Sequence, residues 1–339
     1  MPKSLSRRRA VLTGVGVLAA PAILHWPAQA AEFNYKYGSV LPPDHPMSLR
    51  VAEAAGKIKD DSGGRLDIGC YPNSALGGDT AMIAQAISGA LQMYSLSGDI
   101  LAPRNAAGGI MSVGFALPTY EQAWAAMDGE LGLYYRTNIA EKAGLFCLEK
   151  AFDHGYRQIT TRTKPIRTPD ELKGFKIRLP VAPTLISMFK HLGAAPTAIN
   201  FGEVYSALQT GIVDGQENPL IMIDTAKFYE VQKYASLTSH VWAGLHVSLN
   251  AGAWKKLPPN LQDIVGRRMT EAATLERADW IERNKTVTKH LEDNGMVFNA
   301  PETAPFRDAL RKSGFYPEIK QRMGDEPWRL LEKYSGPLT

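Results

Sequence analysis

The run from Asn260 to Asn294 contains no proline and a single glycine, Gly266, and is rich in Ala, Leu, Glu, Lys and Arg. That composition predicts one very long helix, or two with a kink near Gly266 or at the β-branched run Thr286–Thr288. Such a helix is longer than one lobe needs, so it is expected to run across two. The chain before it alternates strand-like and helix-like segments, which argues an α/β protein with mostly parallel sheets. Phe33–Gly38, Arg65–Tyr71 and Leu91–Leu96 read as strands. Met47–Ser62 and Asp79–Ser88 read as the helices between them, the second closed by Gly89. The C-terminus from Thr303 onward reads as shorter helices broken by Pro and Gly.

The same grammar returns in the second half. Thr168-Pro169-Asp170-Glu171 is a helix start with a cap, a proline at the first helical position and Glu two places on. Ala194–Ile199 reads as extended. Asn200 is placed to cap a helix with Glu203 at its third position, Gly211 ends that helix, and Ile212-Val213-Asp214 leads out as a short strand. "Apolar helix, Gly, short strand" thus occurs once in each half, which suits two similar α/β lobes.

The first thirty residues read as an export signal. Lys3, Arg7, Arg8 and Arg9 form an n-region without acids, an apolar stretch runs from Ala10 to about Ile23, and Ala28-Gln29-Ala30 is an A-x-A cleavage site. The apolar run is too short for a membrane span. Arg8-Arg9-Ala10-Val11-Leu12 resembles a twin-arginine signal, an ordinary Sec signal being the alternative. The whole chain carries 38 basic and 34 acidic residues, but the signal holds four of the bases and none of the acids. The mature 309 residues are therefore formally neutral. The high isoelectric point then says nothing about nucleic acid, and no basic stripe with interleaved aromatics is present. The two cysteines, Cys70 and Cys147, lie in apolar strand-like runs and are expected to be buried free thiols, although a disulfide is chemically possible in an exported protein. No CxxC, HExxH or Cys/His cluster with metal spacing occurs, so no metal, cofactor or catalytic residue is assigned.

The segment FKIRLPVAPTLISMFKHLGAAPTAINFGEVYSALQTGIVDGQENP, Phe175 to Pro219, places Arg178 at the end of an apolar strand beside Pro180. Forty residues on it places Asn218, just past a helix and the short strand Ile212–Asp214. A strand-end guanidinium is planar, permanently charged and able to give two parallel hydrogen bonds to one carboxylate. The plainer reading is an ion pair with Asp170 or Glu171. For Asn218 the plainer reading is a turn residue before Pro219.

This segment resembles the solute-binding proteins of tripartite ATP-independent periplasmic (TRAP) transporters, the DctP-like family. The resemblance extends to SGGRLDIGCYPNSALGGDTAMIAQAISGALQMYSLS and KFYEVQKYASLTSH and covers nearly all of the mature chain. It implies a two-lobe, Venus-flytrap periplasmic binding protein of type II-like form, with the long helix spanning both lobes. Lobe I would comprise 31–154 plus 244–282, and lobe II 155–243 plus 283–339. It further implies that the protein captures an organic acid anion, a mono- or dicarboxylate, in the periplasm and delivers it as a monomer to a sodium-coupled TRAP membrane permease, without catalysis. On this resemblance Arg178 clamps the ligand carboxylate and the Asn218 amide donates to it. Arg157 is a second basic position, one residue further from Arg178 than in sialic-acid-binding relatives. Phe201 is an apolar wall, and Glu217 is structural. Those relatives carry an acid where this chain reads Ser95-Leu96-Ser97, which argues against an amino-sugar ligand. Ser97, Tyr94, His154, Tyr156, Trp242 and His246 are further candidates for the cleft, and together would suit a smaller, less polar acid. On the residues alone two other functions stand beside this one: a twin-arginine-exported oxidoreductase, and the ligand-binding partner of a membrane sensor.

Overall fold

A computed structural model describes residues 30–338, so the export signal and its cleavage site lie outside the described residues. The chain begins β1 (Phe33–Gly38), α1 (Pro46–Asp61), β2 (Leu66–Tyr71), α2 (Asp79–Ser88) and β3 (Met93–Ser97). It continues through α3 (Tyr120–Asp128), α4 (Glu130–Tyr134), β4 (Leu145–Cys147), β5 (Phe152–Thr161), β6 (Lys176–Leu179), α5 (Pro183–His191), β7 (Ala195–Ala198) and α6 (Val204–Gln209). Next come β8 (Gly215–Pro219), α7 (Leu220–Thr225), β9 (Tyr234–Ser236), β10 (Trp242–Asn250) and α8 (Ala251–Lys256). The chain closes with α9 (Pro259–Asp293), β11 (Val297–Asn299), α10 (Ala304–Ser313), α11 (Phe315–Met323) and α12 (Asp325–Ser335).

The strand order is β2-β1-β3-β10-β5-β8-β6-β7, a palindrome in architecture. In the first half β1 is flanked by parallel β2 and β3. In the second, β6 is flanked by parallel β7 and β8. Each half is one doubly wound unit in which the first strand lies between the second and third. The recurring "helix, Gly, strand" is α2–Gly89–β3 in one half and α6–Gly211–β8 in the other, both glycines having positive φ. At Gly89 that φ of 85° is what lets the chain turn off α2.

Three expectations are corrected here. The sheet is not mostly parallel: β10 runs antiparallel to β3, β4 and β5, and β5 antiparallel to β8 and β9. Residues 212–214 form a turn, and the strand is Gly215–Pro219, so Asn218 lies inside β8 rather than beyond a strand. Asn200 makes no capping bond; its Oδ1 accepts from Thr80 Oγ1 at 3.3 Å, joining the two halves at the cleft mouth. Both cysteines are free, with Cys147 buried and Cys70 only partly so.

The 35-residue helix α9 is unbroken, and nothing crowds Gly266. Its first half buries Leu261, Val265, Met269 and Ala273 among residues of β1, α1 and β10. Its second half buries Trp280, Val287 and Leu291 among residues of α6 and α7. One helix therefore contributes to the cores of both halves.

Two strands cross between the halves. Residues 152–156 of β5 pair with β10, and 157–161 pair with β8 and β9. The crossing is irregular on both strands. Gly155 has φ 86°, and the β10 register slips between Ala243 and Gly244. Asp153 holds the crossing: its Oδ1 accepts from Gly155 N (2.6 Å) and Trp242 Nε1 (3.1 Å), and its Oδ2 from Trp124 Nε1 (2.8 Å). Glu276 on α9 accepts from the Asp153 backbone N–H at 2.8 Å.

A Cβ on Gly155 would lie 2.2 Å from Trp280 Cζ2. Gly155→Ala is therefore expected to cost about 2 kcal/mol or more, from the left-handed backbone and from overpacking against Trp280. Denaturant unfolding measures this, and a change below about 0.5 kcal/mol, the range of a neutral surface substitution, would show that the crossing relaxes freely.

Candidate functional site

In open α/β sheets ligands bind beyond the carboxyl ends of the strands, where the strand order reverses. Both halves point such ends at one cavity of about 60 Å³. The segment after β1 supplies Val40 and Leu41, β3 supplies Ser95 and Ser97, and β6 with its following residue supplies Arg178 and Pro180. β8 supplies Asn218, the crossing strands supply His154, Arg157, Ala243 and Leu245, and Asp79, Ile100, Phe201 and Met222 complete the wall.

Arg178 is 1% exposed. Its Nε and Nη2 donate to the Ile199 carbonyl at 2.9 and 2.6 Å, and its guanidinium carbon lies 5.9 Å from the Phe201 ring centre. Among the described residues no carboxylate is within ion-pair distance of it. Asp170 pairs with Lys173, and Glu171 accepts from the Thr168 N–H, so neither compensates Arg178. Burial lowers the guanidinium to about 10, which still leaves it charged at neutral pH.

Arg157 differs. It grips buried Glu217 through Nε and through an Nη2–Oε1 bond of 2.7 Å, and also reaches the Glu217 carbonyl at 2.9 Å. His240 Nε2 completes the carboxylate at 3.0 Å. Burial alone would raise the Glu217 carboxyl; the Arg157 charge and the His240 contact outweigh it and hold Glu217 at about 2. The charge of Arg157 is thus internally balanced. Asn218 extends the Arg157 system: its Oδ1 accepts from Arg157 at 3.1 Å and its Nδ2 donates to Gln216 at 2.5 Å, leaving the second amide N–H uncommitted.

Facing these donors is Asp79, the first residue of α2. Its carboxylate accepts from the Tyr94 hydroxyl at 2.6 Å. Burial raises its pKa, against the opposing pull of that hydrogen bond and of Arg178 and Arg157. The site is therefore a donor-rich wall in which Arg178 has no directly paired acid, with the Asp79 carboxyl opposite and apolar sides.

The description "Bacterial extracellular solute-binding protein, family 7" (DctP) matches residues 37–315. The chain belongs to this family. A solute-binding protein from Roseobacter denitrificans is 30% identical over 302 residues, covering 89% of this chain and 90% of that protein. The C4-dicarboxylate-binding periplasmic protein DctP of Rhodobacter capsulatus is 30% identical over 331 residues, covering 94% and 96%. A crystal structure of a TRAP periplasmic solute-binding protein from Roseobacter denitrificans with bound L-galactonate superposes with a TM-score of 0.83 at 28% identity, covering 90% of this chain and 99% of that one. The protein is thus a DctP-type solute-binding protein with the two-lobe α/β fold, its halves being the two lobes.

Of the residues singled out from the sequence, Arg178, Asn218, Arg157, Phe201, Ser97 and His154 come together on the cavity. Tyr94, Tyr156, Trp242 and His246 do not line it. Tyr94 stands behind Asp79. Tyr156 donates to the Leu117 carbonyl at 2.6 Å, Trp242 to Asp153, and His246 stacks on Tyr135. Alternation along β10 explains two of these: Ala243 and Leu245 line the cavity, so Trp242 and His246 point away. Asp79 was missed, because an acid in the first turn of a helix is ordinary.

Glu217→Gln removes the counter-charge of buried Arg157 and is expected to cost about 3–5 kcal/mol at pH 7. The native Glu217 pKa lies below the value of about 4.3 expected in the unfolded chain. Its stabilisation is therefore fully present above that value and is lost as pH falls toward about 2. Urea unfolding at pH 7 and pH 3 should show the wild-type advantage shrinking in acid; a pH-independent gap would contradict the ion pair.

Proposed function

We propose that this protein captures a hydroxylated monocarboxylate in the periplasm and passes it to a TRAP membrane permease. The observation that carries the ligand class is the charge balance of the cavity. Arg157 is neutralised by Glu217, while Arg178 faces the cavity without an acid of its own. A guanidinium with no acid in direct contact has its fork free for one carboxylate. Asp79 would repel a second carboxylate but accepts hydrogen bonds from hydroxyls. The relative with bound L-galactonate, a polyhydroxy monocarboxylate, fits this balance better than the C4-dicarboxylate-binding relative does.

Capture proceeds by closure of lobe I, 31–154 plus 244–282, on lobe II, 155–243 plus 283–339. Gly155 and the slip at Ala243/Gly244 lie at two of these boundaries, and α9 passes from one core to the other near the third. Arg178 and Asn218 are on one side of the cleft and Asp79 and Ser97 on the other. A ligand touching both sides stabilises the closed form, because only closure makes all its contacts. An oxidoreductase is not favoured, since the family is one of solute receptors.

A thermal-shift screen of aldonates, short hydroxy acids and C4-dicarboxylates tests the ligand class. Hydroxylated monocarboxylates should give the largest shifts. In calorimetric titrations of the best hit, Arg178→Ala should weaken binding by about 100-fold or more, the loss of two charge-assisted bonds of about 1.5–3 kcal/mol each. A preference for dicarboxylates, or unchanged affinity in Arg178→Ala, would overturn the proposal.

A further inference from the structure

Beside the arginines the cavity wall holds a second polar device that the charge balance does not use. His45 stands at the N-terminal cap of α1, and its Nδ1 accepts from the Met47 backbone N–H at 3.2 Å. A ring nitrogen that accepts carries no proton, so a neutral His45 must carry its proton on Nε2. That Nε2 lies 3.2 Å from His154 Nδ1. His45 is then the donor and His154 Nδ1 the acceptor, which leaves the proton of His154 on its own Nε2. His154 lines the cavity, and among the described residues no protein group is hydrogen-bonded to that Nε2.

The pair is buried, His45 at 0% and His154 at 5% exposure, and both rings lean on Trp280 of α9. Two imidazolium N–H groups could not face one another across 3.2 Å. The surrounding charges act in the same direction: Arg283 on α9 faces His45, and Arg157 on β5 faces His154. Asp79 and Arg178 lie across the cavity. Burial, the larger cause, lowers both histidines, His45 to about 3.

We propose that His45 and His154 form a fixed-tautomer relay, in which the first turn of α1 sets His45, His45 sets His154, and His154 Nε2–H is a neutral donor to an uncharged oxygen of the ligand, a hydroxyl or keto oxygen. The ligand-facing half of this proposal rests on the monocarboxylate reading above; the tautomers do not. A neutral donor adds no further cation to the cavity, and the orientation of that donor is preset by backbone rather than by pH. A site built to bond such an oxygen discriminates against an acid lacking it, because the buried donor is then left unpaired.

Long-range ¹⁵N–¹H spectra of the ligand-free wild-type protein test the relay. Both imidazoles should appear as neutral Nε2–H tautomers from pH 8 to pH 5.5. An Nδ1–H tautomer or an imidazolium at either position overturns it. Lactate and propionate, which differ by one hydroxyl, then test the ligand-facing role. Wild-type protein should bind lactate at least tenfold more tightly, His154→Gln should keep most of that preference through its amide donor, and His154→Phe should lose it. The same preference in all three proteins overturns that role. Should neither acid bind wild type, an aldonate and its 2-deoxy analogue replace them under the same criteria; failure of all four acids to bind refutes the carboxylate reading and the ligand-facing role with it, while the spectra judge the relay independently.

Discussion

A guanidinium taken out of water must find compensation, and this protein buries two of them in one wall. Arg157 is compensated from within, by Glu217 and His240. Arg178 is held by the Ile199 carbonyl alone, which fixes its orientation without cancelling its charge. The contrast separates structure from recognition. One arginine locks β5 to β8, and the other is the one proposed to meet the ligand's anion. Burial costs Arg178 part of its basicity, and a bound carboxylate would restore it.

The two-lobe frame delivers these groups to one place. Each half is the same three-strand unit with a fourth strand crossing from the other half, so the carboxyl ends of both units open on a shared cleft. Arg178 ends β6, Asn218 lies in β8, Ser97 ends β3, and Asp79 starts α2. The crossing strands bring His154 and Arg157 to the floor on either side of Gly155, where β5 passes from one half to the other. His154 thus lies directly beside the crossing that Asp153, Gly155 and Trp280 hold.

Much of the fold was legible because its signals are local. α2 ends where Gly89 stands, and α9 runs the full length of its proline-free stretch. The strand Gly215–Pro219 was not legible: its sequence, GQENP, has no apolar alternation, and every residue is buried for polar contacts. The apolar Ile212-Val213-Asp214 before it drew the strand assignment instead. The antiparallel crossing strands depend on pairing between residues about ninety apart in sequence, which no local pattern encodes. At the site, Arg178, Asn218 and Arg157 came from motif resemblance. Tyr94, Trp242 and His246 lie off the cavity because strand alternation turns them away from it, while Tyr156 does so beyond the irregular crossing at Gly155, where the alternation breaks. Asp79 and the His45 partner of His154 are visible only once the chain is folded.

A crystal structure of the protein with the acid it captures tests the account most directly. The carboxylate is expected on the Arg178 guanidinium at about 2.7–2.9 Å, with a hydroxyl toward Asp79 and the Arg157–Glu217 pair intact. A carboxylate seated on Arg157 with Glu217 displaced, and Arg178 still bonded to Ile199 alone, would contradict it.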